Sequence, residues 1–535
     1  MTRLLHGASS GGRRLRLLVW LAALVVLAGV VVAVAAKHSA PPAASGPRCS
    51  VSYLRSGLHL AHVGVDSASL NGTGSFAAPG QPPLTGLPAF CDVMLTQTDS
   101  AGNPIRIGVW LPQPWNGRFQ GVGGSAYSCG PSYLEMARAI QGGYAAATTN
   151  CGVKSADGQT GAWVLSSSGQ LDFPLIDDFA YAGIHDMTMD GKAVTQVYYP
   201  SPLRYSYFFG CSTGGREGLM EAQRYPADYN GIVSGAPAIN WTRFIPAEIW
   251  PELVMNQSGD FLPACKEDAF VESAVRACAT TNGVITNPDT CDWSPDELAG
   301  LVTPCGVITP QDAAVMTKIW QGPETTQGKK LWYGLERGAS LSGLAATTTS
   351  NGVTTGNPRI GAVSWLGIWL QRNPAWDWRT LTYAQFDTLF HQSVSEFSDV
   401  FAADNPDLSA FKSRGGKIII WHGLADQLIF PQGTVNYYQR VQHAMGGPAA
   451  TDSFARLFLA SGAQHCASAA GPAPTQPMLM NALTGWVEHG AAPVSISAPR
   501  TIPATDSPPL CLYPESARYT GNGSTTDASS YTCAR

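Results

Sequence analysis

At 535 residues the chain is too long for one ordinary compact core, which leaves room for a large domain carrying an insertion. A hydrophobic content of 44% with 10% aromatic residues excludes a disordered chain, while 57 Gly and 38 Pro imply many loops between packed elements. The net charge is -5 and no long basic stripe follows the N-terminus, which excludes nucleic acid as an expected partner and suits a small, weakly charged substrate.

The first feature along the chain is a targeting segment. Arg13, Arg14 and Arg16 precede an uncharged apolar run from Leu17 to Ala36, followed by Lys37 and a Pro/Ala-rich stretch. The pattern reads as an export signal cleaved after Ala33-Val34-Ala35. The run is also just long enough to span a bilayer, so an uncleaved anchor is the alternative and the only expected link to a membrane. Residues 1–48 are signal or anchor plus linker, and the mature fold begins near Cys49 outside the cytoplasm. Twelve cysteines in an exported chain imply six disulfides. No CxxC pair or zinc-finger spacing occurs. Near neighbours suggest Cys129 with Cys151, Cys278 with Cys291 and Cys511 with Cys533.

From Ile105 to Ala147 short apolar runs alternate with Gly-rich turns: Ile105 to Leu111, Gly117 to Gly124, and Gly143 to Ala147. A helix follows over about 178–198, where Ala182, His185, Met189, Ala193 and Val197 recur at helical spacing. Next come a strand at Tyr205 to Phe209, a helix over about 215–225, and further alternation through Ile232-Val233, Lys417 to Trp421, Val435 to Met445 and Ala455 to Ala460. Alternating strands and helices imply a mostly parallel sheet covered on both faces, an α/β class. The rhythm breaks between 238 and 413, a Trp-rich stretch with four cysteines. This segment is expected to form a lid domain over the C-terminal sheet edge. The main domain would then comprise 49–237 and 414–535.

The chemistry concentrates at Gly210-Cys211-Ser212-Thr213-Gly214, a G-x-S-x-G motif with a strand before it and a helix after it. A serine hydroxyl needs a base, and the base needs an orienting carboxylate. Asp426 follows the strand Lys417 to Trp421, and His465 follows Ala455 to Ala460. The order Ser212, Asp426, His465 is that of the alpha/beta-hydrolase fold. Among rival residues, His422 reads as support for the acid loop, His185 as a core histidine, Asp177 and Asp178 as helix caps, and Arg216 with Glu217 as a buried ion pair. Cys211 and Cys466 each adjoin a triad residue, which motivates a disulfide tying the nucleophile loop to the base loop.

With these motifs assembled, the chain resembles the tannase and feruloyl esterase family, which includes mono(2-hydroxyethyl) terephthalate hydrolase. The likeness rests on Trp115 to Phe119, Ser206 to Gly218, Gly231 to Pro237, Asp407 to Phe411, Arg456 to Leu459, His465-Cys466, Trp486 to Glu488 and Pro509 to Pro514. It implies an alpha/beta-hydrolase fold with a large inserted lid, the triad Ser212, Asp426 and His465, and the disulfide Cys211–Cys466. It also implies a serine esterase acting on aromatic acid esters such as ferulate, gallate or a terephthalate monoester. An amide hydrolase with the same triad, or a non-catalytic phenolic binder, are the alternative readings.

The Gly121-to-Tyr127 loop departs from the longer glycine run usual in the family, but an oxyanion hole needs only backbone N–H groups, and it is expected to be the N–H of Thr213 plus one from Gly123, Gly124 or Ser125. In the lid, Trp365, Trp369, Arg372, Arg379 and Tyr383, together with Ile429 of the acid loop, are candidate substrate contacts, although tryptophans in such a cluster also serve as core. Many family members carry an Asp-rich calcium loop between two lid cysteines. Here Cys278 to Cys291 is shorter and has lost those aspartates, so neither calcium nor any other cofactor is expected.

Overall fold

The computed structural model describes residues 48–154, 158–280, 283–500 and 506–535. The export signal or anchor thus lies outside the described residues, apart from Arg48. Among those described, no helix is long and apolar enough to cross a membrane.

The main sheet has nine strands: β1 (Val63–Asn71), β2 (Ala89–Thr98), β3 (Pro104–Gln113), β4 (Arg118–Val122), β5 (Ala145–Thr149), β6 (Tyr205–Cys211), β7 (Gly231–Gly235), β8 (Lys417–Gly423) and β9 (Ala455–Ala460). Their spatial order is β1-β2-β3-β5-β4-β6-β7-β8-β9. The first three strands and β5 pair antiparallel, and from β5 to β9 every pairing is parallel.

The parallel strands are apolar on both faces because each face is covered. Tyr207, Phe209, Val233, Ile419, Trp421 and Phe458 pack with the helices Tyr133–Gln141 and Gln476–His489. The intervening residues Phe208, Ile232, Ile418, Ile420 and Leu457 point the other way, toward helices Gly183–Tyr198, Thr213–Arg224 and Pro431–Ala444. This alternation is the period of two expected of strands, buried twice over.

The segment between β7 and β8 carries helices that include Trp241–Ala247, Trp250–Ser258, Ala264–Cys278 and Tyr383–Phe401. It shares one apolar core with the second face of the sheet. Trp365 and Trp369 stack at 4.9 Å, and Trp241 meets Phe179 of the main domain at 5.7 Å.

All twelve cysteines are paired: Cys49–Cys91, Cys129–Cys151, Cys211–Cys466, Cys265–Cys305, Cys278–Cys291 and Cys511–Cys533. The three neighbour pairs suggested by spacing are among them. Six disulfides fit an oxidising compartment.

Asp177 and Asp178 do not cap a helix start. Asp172 does so, accepting from the Leu175 N–H at 3.3 Å, while Asp178 is buried in a π-helical turn over Asp178–Ala182. Burial, with the charge of Asp99 added, pushes the Asp178 carboxyl up to about 8. Glu267 and Glu336 are likewise pushed up to about 8, chiefly by burial. A carboxyl whose folded value lies above its unfolded one stabilises the fold at low pH, and that contribution is lost as pH rises through the folded value. Stability is therefore expected to fall between about pH 5 and pH 8, read as a falling midpoint in thermal unfolding. Glu267→Gln should raise the midpoint at pH 8 and leave it nearly unchanged at pH 5. Equal effects at both pH values would contradict this assignment.

Candidate active site

Ser212 stands between the end of β6 and the helix Thr213–Arg224, with φ 64° and ψ -125°. That left-handed backbone is rare for a residue with a side chain, and the surrounding structure enforces it. The Ser212 N–H donates to Gly235 O at 2.9 Å, and its carbonyl accepts from the N–H groups of Ala238 and Arg216. The glycines around it are steric requirements. A Cβ on Gly210 would stand 2.3 Å from the Gly214 backbone, and one on Gly215 would stand 2.4 Å from Gly235 O. The G-x-S-x-G-G run thus lets strand and helix approach closely enough to project the serine above the sheet edge.

Asp426 and His465 leave the ends of β8 and β9, two and three strands across the sheet from β6. Asp426 is wholly buried, and both its oxygens are engaged. Oδ1 accepts from the N–H groups of Leu428 (2.8 Å) and Ile429 (2.9 Å). Oδ2 lies 2.8 Å from His465 Nδ1 and 3.0 Å from His422 Nε2. Burial alone would raise this carboxyl. The charge of His465 and the hydrogen bonds from His422 and His465 outweigh it and hold Asp426 well below the ordinary carboxylate range. With Nδ1 of His465 on the carboxylate, Nε2 is left for the serine. Gln427 Oε1 accepts the His465 backbone N–H at 3.0 Å.

His422 is the support that its position suggests. Its Nε2 faces two acceptors, Asp426 Oδ2 and Ile429 O at 3.2 Å, so that nitrogen carries a hydrogen. Nδ1 lies 2.8 Å from Thr434 Oγ1. His185 has its polar atom partnered, as a satisfied core histidine would, but it is half-buried rather than core: its Nδ1 lies 2.6 Å from Asp228 Oδ2, and its ring stacks on Tyr225.

Ser212, Thr213 and His465 open onto one narrow cavity of ≈ 60 Å³. Larger clefts of ≈ 480 and ≈ 690 Å³ lie elsewhere on the surface and contain no triad residue, so chemistry rather than size selects the site. The cavity wall includes Tyr127, Trp241, Phe244, Ile245, Ile360 and Ile429, with Glu248 and Arg359 also reaching it.

Of the substrate contacts expected from sequence, only Ile429 lines this cavity. Trp365 and Trp369 are fully buried core, their indole N–H groups donating to Ser393 Oγ and Gly161 O. Arg372 bonds the carbonyls of Trp369 and Leu370 and pairs with Glu396. Arg379 pairs with Asp377, and Tyr383 packs on Trp250 under Lys318. An aromatic cluster at helical spacing reads alike whether it is core or substrate wall, and here it is core.

The oxyanion assignment also changes. The N–H of Gly123 donates to Phe209 O (3.0 Å), that of Gly124 to Glu217 Oε2 (2.9 Å) and that of Ser125 to Ser128 O (2.9 Å). None of the three is left for an oxyanion. Thr213 and Ala126 also line the cavity, and among the described residues their N–H groups take no partner. Thr213 Oγ1 donates to Ala126 O at 2.6 Å and so fixes the two together.

Arg216 and Glu217 are buried but turned to different partners rather than paired. The Arg216 guanidinium donates to the carbonyls of Ala180 (2.6 Å) and Phe179 (3.0 Å) and lies over the Phe179 and Trp241 rings. Glu217 holds Gly124 instead, and burial pushes it up to about 7 against the opposing charge of Arg216.

The Cys211–Cys466 disulfide joins the residue before the nucleophile to the residue after the base, across 255 positions of sequence. Replacing both by alanine is expected to cost about 2–5 kcal/mol of stability and, through loss of alignment between Ser212 and His465, about a hundredfold in kcat. Denaturant unfolding and steady-state kinetics on the double variant read both. Undiminished kcat would show that the bridge does not align the site.

Comparisons with known proteins give the chain its family. A family model described as tannase and feruloyl esterase matches residues 91–534. A probable feruloyl esterase of Arthroderma benhamiae is 40% identical over 467 residues, 83% of this chain and 86% of that protein. Feruloyl esterase B of Aspergillus niger is 29% identical over 474 residues, again 83% and 86% of the two chains. Among solved structures, feruloyl esterase B from Aspergillus oryzae aligns with a TM-score of 0.78 at 26% identity, covering 91% of this chain and 99% of that one. Tannin acyl hydrolase from Aspergillus niger aligns with a TM-score of 0.81 at 23% identity over 91% and 95%, a likeness of fold. The chain belongs to the tannase and feruloyl esterase family and is a carboxylic ester hydrolase.

Proposed function

We propose that the protein is an exported esterase that hydrolyses esters of phenolic acids through an acyl-enzyme on Ser212. The observation that carries this reading is the contact of His465 Nδ1 with the buried Asp426 Oδ2 at 2.8 Å, with His465 and Ser212 on one cavity. In the cycle, His465 takes the Ser212 proton as the hydroxyl attacks the ester carbonyl, and Asp426 stabilises the imidazolium. The N–H groups of Thr213 and Ala126 are the donors assigned to the developing oxyanion. His465 then gives its proton to the departing alcohol, and in the second half it activates the water that releases the acid. The aromatic wall of Tyr127, Trp241 and Phe244 suits a flat acyl group. The six disulfides support export.

The cycle calls on no cofactor, and Asp289 is the one carboxylate between Cys278 and Cys291, too few anionic ligands for a hard cation. The test is release of acid from methyl ferulate, methyl gallate and a terephthalate monoester by disulfide-bonded protein, with and without a chelator. Turnover of at least one ester, insensitive to chelation, is expected. No turnover of any by folded protein, or turnover of an anilide alone, would refute the reading.

A further inference from the structure

Beside the triad residues, the wall of the catalytic cavity carries the polar residue Gln159 and one charged pair, Glu248 with Arg359, and that pair is incompletely satisfied. Glu248 follows the helix Trp241–Ala247, and only 2% of its surface is exposed. Its Oε2 has no hydrogen-bond partner among the described residues. Arg359 Nε stands 3.3 Å away, close enough for an ion pair but not aligned for a hydrogen bond. The hydroxyl of Tyr127, on the same wall, is committed elsewhere, donating to Gly361 O at 2.9 Å. A buried carboxylate oxygen without a donor is costly, and native folds rarely retain one unless a ligand or water completes it.

We propose that Glu248 is a specificity-determining residue that accepts a hydrogen bond from a ring hydroxyl of the substrate's acid moiety, with Arg359 as its counter-charge. The inference rests on the phenolic-ester reading above and sharpens it to hydroxylated aromatic acids. A phenol supplies the O–H that Oε2 lacks. A second carboxylate on the ring, as in a terephthalate monoester, is an anion with nothing to donate, and Glu248 opposes it. Burial pushes Glu248 up to about 7 against the charges of Arg359 and His465, in keeping with a carboxylate short of hydrogen-bond donors. Sequence reading missed both residues because neither neighbours a motif; the fold brings them to the triad from separate parts of the inserted segment.

The experiment compares methyl p-coumarate with methyl cinnamate, which differ by one ring hydroxyl. Wild type is expected to favour p-coumarate in kcat/KM by about ten- to a hundredfold, the range of a hydrogen bond to a charged acceptor. Glu248→Leu should bring the ratio to about one while cinnamate is still hydrolysed, whereas Glu248→Gln, which keeps an acceptor oxygen, should retain most of the preference. Glu248→Gln should also raise kcat/KM for a terephthalate monoester relative to its neutral dimethyl ester, a readout that does not depend on the leucine variant folding. A wild-type ratio near one, a preference that persists in Glu248→Leu, or an unmoved terephthalate ratio in Glu248→Gln would overturn the role of Glu248. In each of those cases the esters are still turned over and the esterase reading stands, whereas no turnover of any ester by wild type overturns both.

Discussion

Ser212→Ala is expected to lower kcat by about six orders of magnitude, the loss that follows removal of the nucleophile from a serine triad. The substitution is clean. Alanine keeps the Cβ, so the φ of 64° is no more strained than before. The backbone contacts of residue 212 with Gly235, Ala238 and Arg216 are likewise retained. The thermal midpoint should therefore match wild type while acid release falls to the limit of detection. Residual activity within tenfold of wild type, in a preparation free of wild-type protein, would show that another group attacks the ester.

Asp426→Asn is expected to cost about four orders of magnitude in kcat, and the hydrogen bonds around the carboxylate explain why an isosteric change is so damaging. All four groups facing Asp426 act as donors to it: two backbone N–H groups on Oδ1 and two imidazole nitrogens on Oδ2. A carboxamide has a single acceptor oxygen. The backbone N–H groups of Leu428 and Ile429 cannot reverse, so the Asn oxygen turns to them and its NH₂ faces the histidines. His465 must then accept at Nδ1 and carry its hydrogen on Nε2, the tautomer that cannot take the serine proton. His422 is caught as well, because its Nε2 also faces Ile429 O. The variant should consequently lose stability along with activity, read by thermal unfolding and by kcat. Wild-type kcat in Asp426→Asn would mean that a different carboxylate orients His465.

The three residues proposed as the triad, which the fold brings together, could be picked out from sequence because each follows a recognisable strand. Ser212 also carries the glycines that close approach demands. The parallel strands β4 to β9 were equally readable, being short apolar runs punctuated by glycine. The N-terminal β1 was not, since most of its residues are exposed and its Val-Gly-Val-Asp-Ser-Ala-Ser composition alternates poorly.

The oxyanion loop illustrates the opposite limit. Its location was evident from Gly121 to Ser125, but the choice among N–H groups depends on partners that only the fold supplies: Phe209 O from β6, the Glu217 side chain from the nucleophile helix, and Ser128 O from the local turn. The lid tryptophans failed for a related reason. Spacing reports which residues share a helix face, not whether that face meets substrate or core. Glu248 and Arg359 carried no local signal at all.

Ester hydrolysis is expected to pass through an acyl group carried by Ser212. The most direct measurement of this is mass analysis of protein quenched during turnover of an activated feruloyl ester, followed by peptide mapping. The expected result is a transient gain of one feruloyl group on the peptide containing Ser212, absent in Ser212→Ala. An acyl group on any other residue, or rapid turnover with no acylated protein and undiminished rate in Ser212→Ala, would contradict it.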